Sequence, residues 1–474
     1  MSLSLTKAWE VKGRMKWLGL LAVLCGLVIG VVAAQGLKVD ASWRVRGENW
    51  DFFEAPNADN RYAFLGSLLR VGVNGQGKRQ DWRIELAQAT LTGLPDNARP
   101  PSHGATYRSV NGGRDGSLFV KQLFWRWRSP SGWSLLLGRF EFSDGSERMP
   151  KDPTLQWLRR QRIQERLIGP FGFTHITRSF DGVFGAWERP QGTFTFALFR
   201  PNKGAFDLRA NDELTRVTVA YGSWTFNLDA QSDARFFALY YRDKRPTLKV
   251  DNRPLALRQA DGAPLKVLTL GGHYLRIEAN TKGQTDFLGW GAWQVGDWGQ
   301  LKHRAFALAA EFGYRWETPW HPWVRLGFFL STGDGNPNDG YHKTFFQVLP
   351  TPRLYAQFPI YNLMNNRDLF MQLMLRPHRR LTLRLEAHRL WLSRLSDLWY
   401  AGGGAFNDTA FGYAGLRGGA RRLMDVLDLS VEYAIDPMTT WTLYLAKAWG
   451  KEAVRVNFVG TSAIYAYLEL QRRW

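Results

Sequence analysis

The sequence predicts an all-β fold: a single closed antiparallel transmembrane barrel of about eighteen strands. Three observations predict it. Segments of about ten or more residues alternate apolar and polar side chains, the period-two pattern of strands with two unlike faces. The connections between them alternate between short turns and mostly long loops. Aromatic residues make up 14% of the chain, with 22 Trp, and many stand at strand ends, where interfacial girdles need a ring with an apolar body and a polar edge.

The first element is a leader. Met15–Gly36, "MKWLGLLAVLCGLVIGVVAAQG", has a basic start, an apolar run and small residues at Ala33 and Ala34. It reads as a secretory signal over residues 1–34, followed by a barrel domain over residues 35–474. The only cysteine, Cys25, lies inside the leader. The mature chain is therefore expected to lack disulfides, thiolate metal sites and cysteine nucleophiles. Removing the leader takes away Lys7, Lys12, Arg14, Lys16 and Glu10 and leaves a net charge of +17. For an exported protein this excess points to lipopolysaccharide or another anionic partner rather than nucleic acid. After Gly36 there is no long apolar run, and mean hydropathy is −0.31, which excludes a bundle of membrane helices.

Strands are then expected near 37–49, 61–74, 79–92, 117–128, 133–142, 174–188, 193–203, 214–228 and 233–245 in the first half. In the second half they are expected near 265–280, 284–297, 301–316, 321–333, 366–377, 381–394, 424–435, 438–449 and 463–474. "DWRIELA" sets Trp82, Ile84 and Leu86 against Asp81, Arg83 and Glu85, and "LTLRLEAH" sets Leu381, Leu383, Leu385 and Ala387 against Thr382, Arg384, Glu386 and His388. Turns such as "NGQGK", "SPSG", "RPQG", "NTKG" and "DPM" carry Gly, Pro, Asn or Asp. Long loops fall at 93–116, 143–173, 246–264, 334–365 and 395–423, and both termini then lie on the short-turn, periplasmic side. The last strand, "IYAYLELQRRW", alternates and ends on Trp474.

Polar faces of such strands point inward. Parity assigns to the lumen Arg44, Arg46, Arg70, Arg83, Glu85, Arg126, Arg128, Arg276, Glu278, Glu311, Arg315, Arg325, Arg384, Glu386, His388, Glu432, Glu469 and Arg473. Two overlapping readings follow: cross-strand ion pairs that staple a hydrated wall, and an anion path in which guanidinium forks attract carboxylates weakly enough to release them.

The long loop at 143–173 contains "KDPTLQWLRRQRIQERLIG", with Asp152 as N-cap and Pro153 at the first helical position. Its Arg159, Arg160, Arg162 and Arg166 either constrict the lumen or lie on the surface facing lipopolysaccharide phosphates. "STGDGNPNDGYHK" (331–343) resembles the start of a calcium loop, with Asp334 and Asp339 as weak candidate ligands. Counting from Asp334, Asp339 stands where that loop needs Gly and Phe345 where it needs Glu. The stretch reads better as Asx-turn chemistry. None of the eight histidines sits in a G-x-S-x-G or HExxH context, so neither an enzyme nor a cofactor is expected. A loop-based receptor or adhesin and a general diffusion porin remain alternatives.

"GRFEFSDGSER" (138–148), "RSFDG" (178–182), "STGDGNPNDG" followed by "FFQVLPT" (345–351), and "LEAHRLWLSRLSDLWY" (385–400) together resemble the alginate-export family of outer-membrane barrels. The resemblance implies an eighteen-stranded monomeric barrel with an Arg-lined lumen that passes an anionic polysaccharide outward, with periplasmic export partners. The Arg-rich insertion at 151–168 and the "GRFEF" segment, without a Gln after Gly-Arg, depart from the family pattern.

Overall fold

The computed structural model describes residues 37–474 apart from 352–354, 359–361 and 403; the leader lies outside the described residues. Eighteen strands form the wall. The first nine are β1 (Lys38–Asp51), β2 (Arg61–Gln76), β3 (Gln80–Thr92), β4 (Gly116–Arg128), β5 (Trp133–Phe140), β6 (Phe180–Arg189), β7 (Gly192–Pro201), β8 (Val217–Phe226) and β9 (Ser232–Asp243). The second nine are β10 (Leu265–Asn280), β11 (Gly283–Trp298), β12 (Leu301–Trp316), β13 (Trp323–Ser331), β14 (Asn366–His378), β15 (Leu381–Leu392), β16 (Arg422–Asp436), β17 (Thr439–Gly450) and β18 (Ser462–Arg473). Each pairs antiparallel with its sequence neighbours. β1 pairs with β18 from Ser42↔Arg473 to Asp51↔Ile464, which closes the sheet and leaves no free edge.

Burial follows the alternation. Along β12, Ala305, Ala307, Ala309 and Glu311 are buried, while Phe306, Leu308 and Phe312 are exposed on the outer face. Rings such as Trp43, Trp125, Trp133, Trp293 and Trp441 stand exposed, and Trp133 stacks on Trp187 across β5 and β6. Trp298, at the end of β11, is fully buried. It faces inward, donates to Asp251 at 2.9 Å and stacks on His342.

One end of the barrel carries short turns, for example 190–191, 281–282 and 379–380; the other carries mostly long loops. The exception is the two-residue hairpin Gly299–Gln300, where Gly299 has φ 65° and a Cβ would meet Asp261 and Lys249 of the preceding loop. Strand limits fall within three residues of expectation except for β6, which starts at Phe180 rather than 174. Residues 174–179 belong to loop L3 (141–179), which folds into the barrel; Thr177 there has φ 59°.

Candidate functional site: the lumen and its infolded loop

L3 begins its inward course with helix α2 (Pro153–Leu158), which follows α1 (His103–Asn111) of the loop before it. Asp152 caps α2 by accepting from Thr154 N at 2.7 Å and Leu155 N at 3.0 Å. Leu155, Leu158, Ile163 and Leu167 are buried, and a wider turn over Arg159–Ile163 continues the helix. Of the two readings of this segment, the structure has the inward one.

Arg159, Arg162 and Arg166 are fully buried against the wall. Arg159 pairs with Asp233 of β9. Arg162 pairs with Glu386 of β15 at 2.7 Å and stands 3.5 Å from Glu311 of β12. Arg166 donates to Tyr355 at 2.7 Å, lies 3.8 Å from Glu311 and covers the Trp290 ring. Arg160 alone of the four turns to open space. It lines a cavity of about 410 Å³ with Arg44, Arg46, Arg384, Glu432 and Glu469, the glutamines Gln161, Gln164 and Gln357, and the rings of Trp157, Phe173 and Tyr467. This cavity lies in the short-turn half of the barrel, beside the middle of β1 and β18, the start of β15 and the second half of β16. Burial lifts the carboxyl of Glu165, another lining residue, above the usual range, with Thr351 and Ser143 opposing.

The remaining parity residues divide clearly. Arg44 donates to the carbonyls of Gly172 (2.5 Å) and Thr174, and Arg46 to that of Phe173 (2.9 Å) and to Glu469. Arg70 and Arg83 share Glu85. Arg126 faces Asp81 at 3.7 Å, and Arg128 donates to the same carboxylate. Arg325 joins Asp286 and Glu311, Arg315 donates to Gln284, and Arg384 lies 3.3 Å from Glu386. His388 meets Asp368 at 3.0 Å. Arg276 and Glu278 are corrections. They share the outward face of β10 with Tyr274, near the short-turn rim, where Arg276 pairs with Asp229. Leu275 and Ile277 take the inward positions because α2 packs against β10 and supplies an apolar surface there.

Sequence reasoning missed four inward acids: Asp233 and Asp286 hold Arg159 and Arg325, Asp368 meets His388, and Asp428 accepts from Tyr444. Asp233, Asp286, Asp368 and Asp428 all lie on inward parity, so the alternation was signal enough. Asp397 is the other omission. Its carboxylate accepts from Asp334 N at 2.8 Å, Thr344 Oγ1 at 2.6 Å and Tyr400 OH at 2.9 Å, so the Asp-x-x-Tyr spacing is a local hydrogen bond that ties two loops together. Burial pushes both Asp397 and Asp334 up to about 6, against the bonds from Thr344 and from Asn336 N respectively.

Neither candidate cation site is favoured by its surroundings. Asp334 accepts from Asn336 N at 3.0 Å; Asp339 accepts from Tyr341 N and is taken by Lys343, a run of Asx turns. Among the described residues, Glu386, His388 and Asp428 come close enough to share an ion, yet the Arg162 and Arg384 guanidiniums already face Glu386.

A closed antiparallel barrel with an apolar outer face, aromatic rings near its rims and a charged, partly filled lumen defines a channel-type barrel of the outer membrane. Known proteins agree. The alginate export family profile matches residues 129–457, and the chain belongs to that family. Solved barrels share the fold. These include OpdK of Pseudomonas aeruginosa, in a structure with vanillate (9% identity, TM-score 0.57, 92% of this chain and 98% of that one), and OccAB3 of Acinetobacter baumannii (11%, 0.58, 92% and 99%). OccK9 of Pseudomonas aeruginosa is a third (13%, 0.58, 92% and 98%). No curated protein matches the sequence.

Proposed function

We propose that the protein is an outer-membrane channel passing anionic or saccharide solutes. The observation that carries this is the inner cavity, where Arg44, Arg46, Arg160 and Arg384 stand among amides, hydroxyls and three aromatic rings. Guanidinium forks suit carboxylates, and flat rings beside amides suit sugar faces. Glu432 and Glu469 compete for the same arginines and keep each encounter weak, as conduction requires. Family membership supports an acidic, uronate-type polysaccharide as one cargo, and the vanillate in the OpdK structure supports a small carboxylate as another. Lipopolysaccharide and lipid are the expected surroundings, with Sec-dependent export and periplasmic export partners as further parts of the reading. The barrel works without catalysis or cofactor in this account.

Reversal potentials in planar bilayers under a potassium chloride gradient test the proposal. Anion preference is expected, and cation preference refutes the anion path. Current block by glucuronate oligomers that exceeds block by the monomer favours the polymer cargo.

A further inference from the structure

Six arginines of the described chain have fully buried side chains: Arg159, Arg162, Arg166, Arg178, Arg235 and Arg325. Five face a carboxylate within 4 Å. Arg178 faces none among the described residues. Its one hydrogen bond is a long one, from Nη1 to the Ala405 carbonyl at 3.5 Å, and Nε and Nη2 are buried without a partner. Its surroundings are aromatic: the guanidinium lies 5.3 Å from the Phe171 ring centroid, with Tyr413 and Tyr241 as its electrostatic neighbours. Burial pulls it down to about 10, with the two tyrosines opposing. A guanidinium rarely sheds its proton, so an uncompensated one is held at a free-energy cost that a ligand anion relieves.

Phe171 connects this charge to a second cavity. About 280 Å³ in volume, it lies toward the long-loop end and is lined by Phe171, Phe206, Phe406, Phe411 and Tyr413, with His103. Its wall is apolar where the inner cavity is polar. Phe171 is held at φ 58°, a left-handed conformation that a bulky residue adopts only under constraint, and hydrogen bonds fix it there: its N donates to Thr351 Oγ1 at 2.9 Å, its carbonyl accepts from Thr174, and the Gly172 carbonyl accepts from Arg44. The ring between charge and cavity therefore sits on a strained but pinned backbone, and only its side chain is left to turn.

We propose that Arg178 and this outer cavity form a binding site for a small carboxylate with a flat apolar body, an aromatic monocarboxylate. The carboxylate takes Nε and Nη2 as a two-pronged pair, and the ring lies among Phe206, Phe406 and Tyr413 once Phe171 turns aside. The site rests on the anion-channel reading and narrows its cargo. It differs in kind from the inner cavity, whose amides and hydroxyls suit sugars.

The test uses the folded full-length barrel in detergent, with sodium benzoate as probe and benzamide and sodium glucuronate as controls. Binding is read by calorimetry, and urea unfolding is followed with and without benzoate. Benzoate is expected to bind wild type and to protect it from urea. Benzamide, which lacks the charge, and Arg178→Met, which lacks the fork, are each expected to lose about tenfold or more in affinity, the worth of one hydrogen bond to a charged group. Glucuronate is expected to bind equally to wild type and Arg178→Met. Without ligand, Arg178→Met is expected to be as stable as wild type or more so, because it removes an unpaired charge. Equal benzoate affinity in both proteins overturns the site. So does a loss of stability in Arg178→Met like that of a paired arginine, which marks a structural role. A barrel that is anion-selective yet indifferent to benzoate loses this site and keeps the proposed function; cation selectivity removes the function itself.

Discussion

Replacing Arg162 by Met tests whether ion pairs hold L3 inside the barrel. The Arg162 guanidinium is fully buried, 2.7 Å from Glu386 and 3.5 Å from Glu311, and it lies 5.2–5.6 Å from the rings of Phe370, Tyr355 and Trp157. Methionine keeps much of the apolar stem and packing and removes the charge. Taking one partner from a buried pair costs about 3–5 kcal/mol. Here Glu386 keeps Arg384 at 3.3 Å and Glu311 keeps Arg325 at 2.6 Å, so neither carboxylate is stranded. The expected loss is therefore about 2–3 kcal/mol. Urea unfolding of the barrel in lipid vesicles, read by tryptophan fluorescence, measures it, and limited proteolysis reports release of L3. The double variant Arg162→Met with Glu386→Gln is expected to recover about 1 kcal/mol or more relative to the sum of the singles. A loss below about 0.5 kcal/mol with strictly additive singles and unchanged proteolysis refutes the reasoning.

Three further outcomes are expected. Asp334 and Asp397, both raised to about 6, bind more protons in the folded loops than in unfolded chain. Their junction is therefore firmest below about pH 4 and loosens as pH rises through 6. Cleavage in 332–365 by a protease corrected for its own pH profile is expected to be faster at pH 8 than at pH 5, and Asp397→Asn is expected to flatten the difference. Gly296 has φ 144°, and a Cβ there would sit 1.9 Å from the Lys266 carbonyl, so Gly296→Ala is expected to weaken β10–β11 pairing by about 2 kcal/mol or more, measured by the same urea titration. Arg384→Glu reverses a charge in the inner cavity and is expected to shift the reversal potential toward cations; an unchanged potential removes Arg384 from the path.

The wall was legible because each strand must present hydrocarbon on one side and water or protein on the other, and that demand writes a period of two into the sequence. β10 shows where the rule is incomplete. Its inward Leu275 and Ile277 are buried on a strand against which α2 packs, so polarity there marks the rim and not the lumen. L3 was legible as a capped helix rich in arginine, but its direction depends on carboxylates at Asp233, Glu311 and Glu386, scattered along three distant strands. "GFTHITRSF" reads as strand by composition. Its carbonyls are instead taken by Arg44 and Arg46, and Phe171 and Thr177 break the extended backbone. The unpaired state of Arg178 has no sequence signature, because it is defined by what surrounds the residue in space.

The way L3 is anchored sets an order of assembly. Arg44 of β1 grips residues 128 and 130 positions ahead, Arg162 reaches Glu386 across 224 positions, and Arg46 meets Glu469 across 423. The sites that seat the loop stand on β1, β9, β12 and β15, so L3 gains its full set of anchors only once strands from both halves of the chain share one wall. Each of these anchors closes a long stretch of chain, which makes them costly to form early, and the infolded loop is expected to be among the last parts of the barrel to set.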